Sequence, residues 1–337
     1  MMPHSNTIPS LLLTLILLAG CGSSASSSAT ATTTTTTTTT TNTGLDLTQL
    51  PLGDGKVSTS PQVGYVYSCQ TTFNGSGAST VGPWINTSAG TFNFTAKTVV
   101  QGSVAWPTAA FTIALNSAGT LRNVSTNDLP NHNTGTYPIA ATDPAYKYDQ
   151  NPNHIASQSV VYALPELPTA TTQTCLPMGA IGITLTGSVL YNALDALGRD
   201  ALAHEEQDLC QGHPDQSDSY HYHSLTNCLA DPGTGHSNLL GYALDGFGIF
   251  GVRGENGVVL TNADLDACHG HTHAITWDGQ TVVMYHYHAT YEYPYTVGCF
   301  QSTPAKAMVA LGELQPHTHP HDAVPAKGSS PLKHSSQ

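Results

Sequence analysis

Short apolar runs, broken by glycine, proline, asparagine and serine, form the main pattern of the chain from about residue 60 onward. Runs of this kind predict β-strands connected by turns, because buried helices need longer apolar segments. Turn-forming residues at both ends of a run strengthen that interpretation. The predicted strands are Gly64–Tyr67, Thr91–Thr98, Val104–Trp106, Ala110–Leu115, Val160–Ala163 and Ile181–Leu185.

Two segments depart from this pattern. Residues 122–157 are rich in asparagine, aspartate, proline and tyrosine and show no clear period, which predicts an ordered but irregular connection. Ala193–Leu209 has the composition of a short helix, although Gly198 interrupts it. The sequence therefore predicts a mostly β fold, all-β or α+β, that occupies residues 45–315 as one domain with an N-terminal β region.

Residues 180–228 and 239–299 show a repeated pattern. Tyr-His-Tyr-His occurs at 220–223 and again at 285–288, and Asp-x-Cys-x-Gly-His precedes it at 208–213 and at 266–271. The offset between the segments is 59 residues from Gly182 to Gly241 and 58 from Cys210 to Cys268. We expect two diverged copies of one unit, packed about a pseudo-twofold axis.

Each copy is predicted to place its Tyr-His motif on its last strand. Val282-Val283-Met284 runs directly into the second motif, and β-branched residues favour extended structure. Successive side chains of a strand point to opposite faces, so His286 and His288 share one face and Tyr285 and Tyr287 share the other. Two imidazoles on one face form an arrangement that a metal ion can use.

The N-terminus has the pattern of an export signal. An apolar run at Leu11–Leu18 precedes small residues and predicts a signal peptide over residues 1–20, because the run is too short to span a bilayer. Leu18-Ala19-Gly20-Cys21 resembles a bacterial lipobox, in which Cys21 receives the lipid; a plain secretory signal is the alternative. Both predict an extracytoplasmic protein, either secreted or anchored as a lipoprotein at the outer membrane or cell surface.

Low-complexity segments flank the predicted domain. Residues 21–44 are almost entirely serine, threonine and alanine after Cys21, which predicts a disordered tether because such a segment has little apolar surface to bury. Residues 316–337 are predicted to be a disordered tail rich in histidine and proline. Its His317, His319 and His321 either chelate copper or nickel or are incidental.

The charge of the chain argues against a nucleic-acid partner. The net charge is −13 and the chain has 9 lysines and arginines, whereas phosphate binding depends on clustered basic residues. The lipid anchor is the only membrane contact that we expect.

The cysteines are consistent with export. Six of the seven remain when Cys21 is set aside, and an even number in an oxidising compartment predicts three disulfides. Each would stabilise the fold by about 3 to 4 kcal/mol in the chain-entropy model. Thiolate metal ligands are the alternative, but no Cys-x-x-Cys pair supports them. The repeat indicates the pairs Cys210–Cys228 and Cys268–Cys299, which leaves Cys69–Cys175.

Histidine most needs a functional explanation, because 17 occur and most lie in or near the two copies. Neutral imidazole is a common ligand of zinc and copper, and alternate residues of a strand can bind one ion. We therefore expect a transition-metal cofactor, copper or zinc. The candidate ligands are His213, His221, His223, His271, His273, His286 and His288, with His269 as an extra candidate and with Asp208 and Asp266 orienting the imidazoles.

Other functions fit the same residues. The histidines could form only buried hydrogen bonds at a seam between the copies. Tyr291, Tyr293 and Tyr295 could stack on sugars in a carbohydrate-binding module, or contact a surface protein. A bound metal could also activate water for hydrolysis, although Gly-x-Ser-x-Gly and His-Glu-x-x-His are absent, so we expect a binding protein rather than an enzyme. The candidate bases for hydrolysis are Glu205, Glu206, Asp245 and Glu292.

At these motifs the chain resembles the bacterial YHYH domain family. The resemblance covers about residues 60–300 and rests on the segment 208–213, on Leu244–Gly251 and on both Tyr-His-Tyr-His motifs. It implies an exported protein or lipoprotein and carries no established activity. Phe-Gly-Ile-Phe at 247–250 differs from the Phe-Pro-Ile-Tyr of similar sequences, and this difference affects no candidate ligand.

Overall fold

The computed structural model describes residues 45–75 and 77–307. The predicted signal peptide, the lipid-attachment residue Cys21, the tether and the histidine-rich tail lie outside these residues. Within the described part of the chain, no helix has the length and apolar character needed to cross a membrane.

The segment before residue 170 forms three small sheets. Their strand orders are β1-β5-β4, β2-β3 and β6-β7-β8, and β2-β3 is a parallel pair whereas the other pairs are antiparallel. Two 3-10 helices, Phe94–Ala96 and Pro144–Lys147, lie between the strands. The strands are β1 (Leu50–Pro51), β2 (Val57–Ser58), β3 (Val66–Tyr67), β4 (Ile85–Asn86), β5 (Thr91–Phe92), β6 (Phe111–Leu115), β7 (Leu121–Thr126) and β8 (Val160–Pro165).

Three predicted strands are shorter than expected. The segment Gly64–Tyr67 is extended only over β3. The segment Thr91–Thr98 is extended only over β5, because the side chain of Asn93 accepts a hydrogen bond from the amide of Ala96 and caps a 3-10 helix there. In the segment Val104–Trp106, Val104 makes an isolated bridge to Thr134 and no longer strand forms.

Strand β7 lies in a segment that the sequence pattern predicted to be irregular, so that prediction is wrong for its first five residues. The burial of β7 alternates, with Arg122, Val124 and Thr126 inside. Arg122 can occupy an inward position because its guanidinium makes two hydrogen bonds to Asp278, of 3.1 and 2.5 Å, and lies 4.8 Å from the ring centre of Tyr242. A charged residue at a buried position hides the alternation in the sequence.

The predicted helix over Ala193–Leu209 is a single turn, α1 (Ala201–His204). Before it, Gly198 adopts a φ of 73° and the backbone turns back on itself. Asp200 then caps α1 by accepting a hydrogen bond from the amide of Ala203, and Glu205 returns to extended backbone with a ψ of 148°. The turn before α1 and the extended backbone after it therefore limit the helix to four residues.

The two predicted copies form one eight-stranded sheet with the order β11-β12-β10-β9-β13-β14-β16-β15. Two further 3-10 helices, Glu255–Gly257 and Asn262–Asp264, lie between β14 and β15. The first copy contributes β9 (Ala180–Thr184), β10 (Val189–Tyr191), β11 (Gly212–Pro214) and β12 (Tyr220–Tyr222). The second contributes β13 (Leu239–Ala243), β14 (Gly248–Phe250), β15 (Gly270–Trp277) and β16 (Gln280–His288).

The strand order of the second copy is the reverse of that of the first. The antiparallel pair β9-β13 joins the copies at the centre, and in each copy the strand of the Tyr-His motif pairs in parallel with the second strand, β10 or β14. This is the order that a twofold axis at the centre of the sheet would give, although origin by duplication stays a prediction. The mostly β fold is confirmed. The Tyr-His strands β12 and β16 lie toward opposite ends of the sheet.

Three disulfides connect the described cysteines, and their pairing is the one indicated by the repeat. They fit an extracytoplasmic protein, because disulfides persist in oxidising compartments. The pairs are Cys69–Cys175, Cys210–Cys228 and Cys268–Cys299.

Candidate metal centres

A tight turn precedes the first histidine of each copy and is held by an aspartate. In the first copy the carboxylate of Asp208 accepts hydrogen bonds from the amides of Cys210 (2.8 Å) and Gly135 (2.9 Å) and from the hydroxyl of Tyr220 (2.9 Å). The second copy repeats the turn-amide and tyrosine bonds with Asp266, Cys268 and Tyr285. These contacts correct the expectation that Asp208 and Asp266 orient the imidazoles, because both carboxylates bind turn amides and a tyrosine instead.

The glycine of Asp-x-Cys-x-Gly-His leaves space for the first tyrosine of each Tyr-His motif. A Cβ atom on Gly212 would lie 2.3 Å from the ring of Tyr220, and one on Gly270 would lie 2.4 Å from the hydroxyl oxygen of Tyr285. The tyrosine ring therefore packs directly on the glycine backbone. This contact fixes the distance between the strand of the first histidine and the strand of the Tyr-His motif.

The first cluster consists of His213, His221, His223 and Glu205. Pairing of β11 with β12 places His213 opposite His221, and the ligand atoms of the three histidines lie within 4.8 Å of one another. The Oε2 atom of Glu205 is 3.5 Å from Nε2 of His213 and 3.4 Å from Nε2 of His223. All four residues are buried, with exposures of 1% or less.

The imidazoles of the first cluster are oriented by the backbone. Nδ1 of His221 is 3.1 Å from the carbonyl oxygen of Ser219, and Nδ1 of His223 is 2.5 Å from that of Asn192. A carbonyl only accepts, so Nδ1 carries the hydrogen in both rings and Nε2 presents a lone pair when the ring is neutral. The two Nε2 atoms are 3.1 Å apart. Two lone pairs at that distance repel each other unless a cation lies between them.

Aromatic packing closes the first cluster on one side. The ring of Tyr191 stacks on His221 with centroids 4.0 Å apart and planes inclined by 22°. Its hydroxyl donates to the buried carboxylate of Asp215 at 2.9 Å.

The second cluster consists of His236, His273, His286 and His288, whose ligand atoms lie within 4.8 Å of one another. Strands β15 and β16 form its base, with His271 opposite His286 in the register. Nε2 of His273 lies 3.1 Å from Nε2 of His286 and 3.0 Å from Nε2 of His271. His271 therefore adjoins the cluster, although the four-residue group does not include it.

Backbone carbonyls orient all four imidazoles of the second cluster. Each Nδ1 atom lies within hydrogen-bond distance of a carbonyl oxygen, so each Nε2 atom presents a lone pair in the neutral ring. The Nε2 atoms of His236 and His288 are buried and have no hydrogen-bond partner among the described residues. The pairs are His236 with Ser237 (2.9 Å), His273 with Ala274 (3.0 Å), His286 with Met284 (3.1 Å) and His288 with Gly251 (2.6 Å).

Burial disfavours the charged form of His236, His271, His286 and His288. It lowers the pKa of His288 to about 2, that of His286 to about 3 and that of His271 to about 4, and it also lowers the pKa of His236. The neighbouring imidazoles lower these pKa values further. Burial therefore disfavours a proton on these four rings, and the neutral ring is the form that binds a metal.

The nitrogen separations fit metal coordination. A Zn–N bond of about 2.0 to 2.1 Å places two ligand nitrogens about 3.3 Å apart in a tetrahedron, and cis ligands of a square plane about 2.9 Å apart. The observed Nε2 separations of 3.0 and 3.1 Å lie between these values. Small side-chain movements would accommodate either geometry.

His236 was not predicted as a ligand because it lies in the connection between the two copies. It occupies a segment rich in glycine and serine and belongs to no repeated motif, so the sequence gives no signal beyond the residue type. Glu205 was predicted only as a possible base, whereas its carboxylate lies among the first-cluster imidazoles.

The remaining predicted residues have structural contacts. His269 is buried, and its Nδ1 lies 2.8 Å from the carbonyl oxygen of His288, so it supports the end of β16. Of the four candidate bases, Glu205 is the one within 3.5 Å of cluster nitrogens. The other three bind elsewhere: Asp245 the hydroxyl of Tyr287, Glu206 the ammonium group of Lys97, and Glu292 the amide of Asn262.

Two of the three tyrosines of the stripe are part of the core. Tyr293 and Tyr295 are 0% and 1% exposed, and the hydroxyl of Tyr295 donates to Asp200 at 2.7 Å. These two rings have no face available to a sugar, whereas Tyr291 is partly exposed, and a carbohydrate or surface-protein partner stays a prediction. Thiolate ligation is also excluded at the group His132, Cys210 and Cys228, because its two sulfurs form a disulfide.

A family model described as YHYH protein matches residues 161–259. The match includes the first cluster and Leu244–Gly251, so the resemblance seen in the motifs is confirmed for this part of the chain. The second Tyr-His-Tyr-His motif lies beyond the matched residues. The comparisons with curated proteins and with solved structures found no match.

Proposed function

We propose, on the premise that residues 161–259 form a YHYH domain, that this protein binds transition-metal ions at two separate sites outside the cytoplasm. Copper and zinc are the proposed metals, because imidazole nitrogens suit both. Binding serves to store, sense or scavenge metal. The proposed ligands are His213, His221, His223 and Glu205 at the first site and His236, His273, His286 and His288 at the second, with His271 beside the second site.

One observation carries the proposal. In the second cluster four imidazoles give their Nδ1 hydrogens to backbone carbonyls and converge through their Nε2 atoms. This is how metal-binding histidines are usually held, with one nitrogen on a hydrogen-bond acceptor and the other toward the ion.

The same observation argues against a purely structural seam. Buried polar atoms in proteins are normally paired, so a seam of histidines should alternate donors and acceptors. Here His273 and His286 turn two acceptors toward each other at 3.1 Å. A bound cation would satisfy both lone pairs without placing a proton on either ring.

We further propose that the protein is a lipoprotein. Lipidation of Cys21 would tether the metal-binding domain to a membrane through residues 21–44. The disulfides fit this location, because they require an oxidising compartment.

The test is the metal content of the full chain. The protein would be purified without an affinity tag and measured by inductively coupled plasma mass spectrometry, before and after equilibration with Zn(II) or Cu(II). The background would carry His317→Ala, His319→Ala and His321→Ala, so that the tail contributes no binding. We expect two metal ions per chain.

Two double variants assign the sites. His221→Ala with His223→Ala should remove one ion, and His286→Ala with His288→Ala should remove the other, whereas the exposed His154→Gln is a matched control that should remove none. Circular dichroism and disulfide content would show that each variant is folded. A folded protein that takes up no metal at either site would contradict the proposal.

A further inference from the structure

The two clusters differ in their contact with solvent. Every side chain of the first cluster is buried, and Tyr191 covers His221. In the second cluster His286 and His288 are fully buried, but His236 and His273 are partly exposed. A metal ion at the second cluster would therefore have an exposed side, and one at the first cluster would not.

The clusters also differ in charge. Glu205 brings a buried carboxylate into the first cluster, so a divalent ion there would be partly neutralised by its own ligand. Loss of that ion would remove a positive charge that lies against this buried carboxylate, which is unfavourable in a protein interior. The four ligands of the second cluster are imidazoles, and none of them brings a negative charge to the ion.

An open groove leads to the second cluster. It has a volume of about 490 Å³ and is lined by His236, Phe250 and the exposed Thr276 of β15, among others. Because His236 belongs to both the groove and the cluster, a hydrated ion or a small chelating molecule in the groove reaches a ligand of the site directly.

We propose that the first cluster retains its metal as a permanent part of the fold, whereas the second exchanges its metal with small chelating molecules through the groove beside His236. This inference rests on the proposed function, because it requires metal at both clusters. The exchanging partner would be a nitrogen or oxygen donor small enough to enter the groove.

The experiment measures how fast metal leaves the full chain in the tail-variant background. Protein loaded with Zn(II) would be mixed with excess EDTA, and the zinc that remains bound would be measured over time after rapid desalting. We expect two phases of one ion each, with rates that differ at least 100-fold. The fast phase should be absent from the His286→Ala/His288→Ala variant, and the slow phase from the His221→Ala/His223→Ala variant.

A variant of the groove tests the route without changing a ligand. Thr276→Trp adds a large side chain to the groove lining and should slow the fast phase at least tenfold, with no effect on the slow phase. Thr272→Trp is the matched control, because Thr272 is exposed on the same strand and does not line the groove. It should leave both rates unchanged.

The outcomes separate the two proposals. A chain that binds no metal overturns the proposed function and this inference together. A chain that binds two ions and releases both at one rate keeps the proposed function and overturns the inference. A fast phase that belongs to the first cluster, or that Thr276→Trp does not slow, also overturns it.

Discussion

The first and second clusters begin from the same motif and differ in the residues that complete them. Asp-x-Cys-x-Gly-His and Tyr-His-Tyr-His form the same turn, the same tyrosine contact and the same pair of facing histidine strands in both copies. The first cluster is then completed by Glu205, and the second by His236 and His273. The repeated motif thus positions imidazoles, and the segments around it set the charge and exposure of each site.

Hairpin length explains part of this difference. β11 and β12 have three residues each, whereas β15 has eight and β16 has nine. The longer hairpin extends the second copy beyond its first histidine and adds His273, which occupies the position of Asp215 in the first copy. Asp215 instead binds Tyr191 and helps to close the first cluster.

The largest expected change in stability comes from loss of a disulfide, because one disulfide encloses each Tyr-His-Tyr-His motif. Replacing Cys268 and Cys299 with serine should lower the free energy of unfolding by about 4 kcal/mol, and replacing Cys210 and Cys228 by about 3 kcal/mol, since the second loop is longer. Urea denaturation measures both. Each double replacement should also weaken metal binding mainly at the cluster that its disulfide encloses. If one double replacement weakened binding equally at both clusters, the two sites would not be independent.

The motif glycines come next. Gly212→Ala and Gly270→Ala should each lower the free energy of unfolding by about 2 kcal/mol, because the new methyl group overlaps Tyr220 or Tyr285 and, at Gly270, also the carbonyl oxygen of His286. Thermal denaturation checks this against Gly235→Ala, whose Cβ meets no atom within 4 Å. Equal thermal stability of Gly212→Ala and the control would show that the contact with Tyr220 does not require glycine at position 212.

The buried carboxyl group of Asp128, beside the first copy, should make the stability of the protein depend on pH. Burial raises the pKa of Asp128 to about 8, from 3.8 in the unfolded chain. Between these values the folded state holds a proton that the unfolded state has lost. Stability therefore falls as pH rises from about 4 to about 8, by at most about 1.4 kcal/mol per pH unit.

Asp128→Asn removes this contribution, because asparagine resembles the protonated acid and can still accept the hydrogen bond from the amide of Val189. Urea denaturation at pH 5, 6, 7 and 8 would measure the free energy of unfolding of both proteins. The value of the variant minus that of the unchanged protein should increase with pH. A constant difference across this range would show that Asp128 does not titrate there.

The smallest expected effect concerns the tip of the longer hairpin. Asp278→Asn weakens its pairing with Arg122, and we expect a loss of about 1 kcal/mol, because Asp278 is partly exposed. Hydrogen exchange should increase in β15 and β16, and metal affinity should fall slightly at the second cluster. Unchanged exchange in these strands would indicate that the ion pair does not hold the hairpin.

Most of the fold was predictable because its signals are local. Short apolar runs and turn residues identify strands such as β6, β8 and β9, and the repeat indicates the disulfide pairs. The prediction was wrong where a tertiary contact overrides the local signal. Arg122 is buried in β7 because Asp278 lies against it. The predicted helix is short for a local reason, because Gly198 and Asp200 form turns before it and Glu205 is already extended after it.

The candidate clusters were predictable only in part. Strand periodicity placed the histidines of each Tyr-His motif on one face, and the structure brings them together. His236 and the role of Glu205 depend on how loops return to the sheet, which periodicity does not encode. The expected pairing of Asp208 and Asp266 with imidazoles was wrong because each carboxylate accepts a hydrogen bond from the first tyrosine of its motif instead.

The order of the strands also predicts the distance between the two proposed metal ions, and spectroscopy can measure that distance. Five strand spacings of about 4.8 Å separate β12 from β16, which is about 24 Å along the sheet. Two copper(II) ions bound there would share no bridging ligand, so their unpaired electrons would show no exchange interaction. Only the through-space dipolar coupling between the two spins would remain. Pulsed electron paramagnetic resonance would then measure this dipolar coupling as an oscillation frequency, from which the distance between the two ions follows.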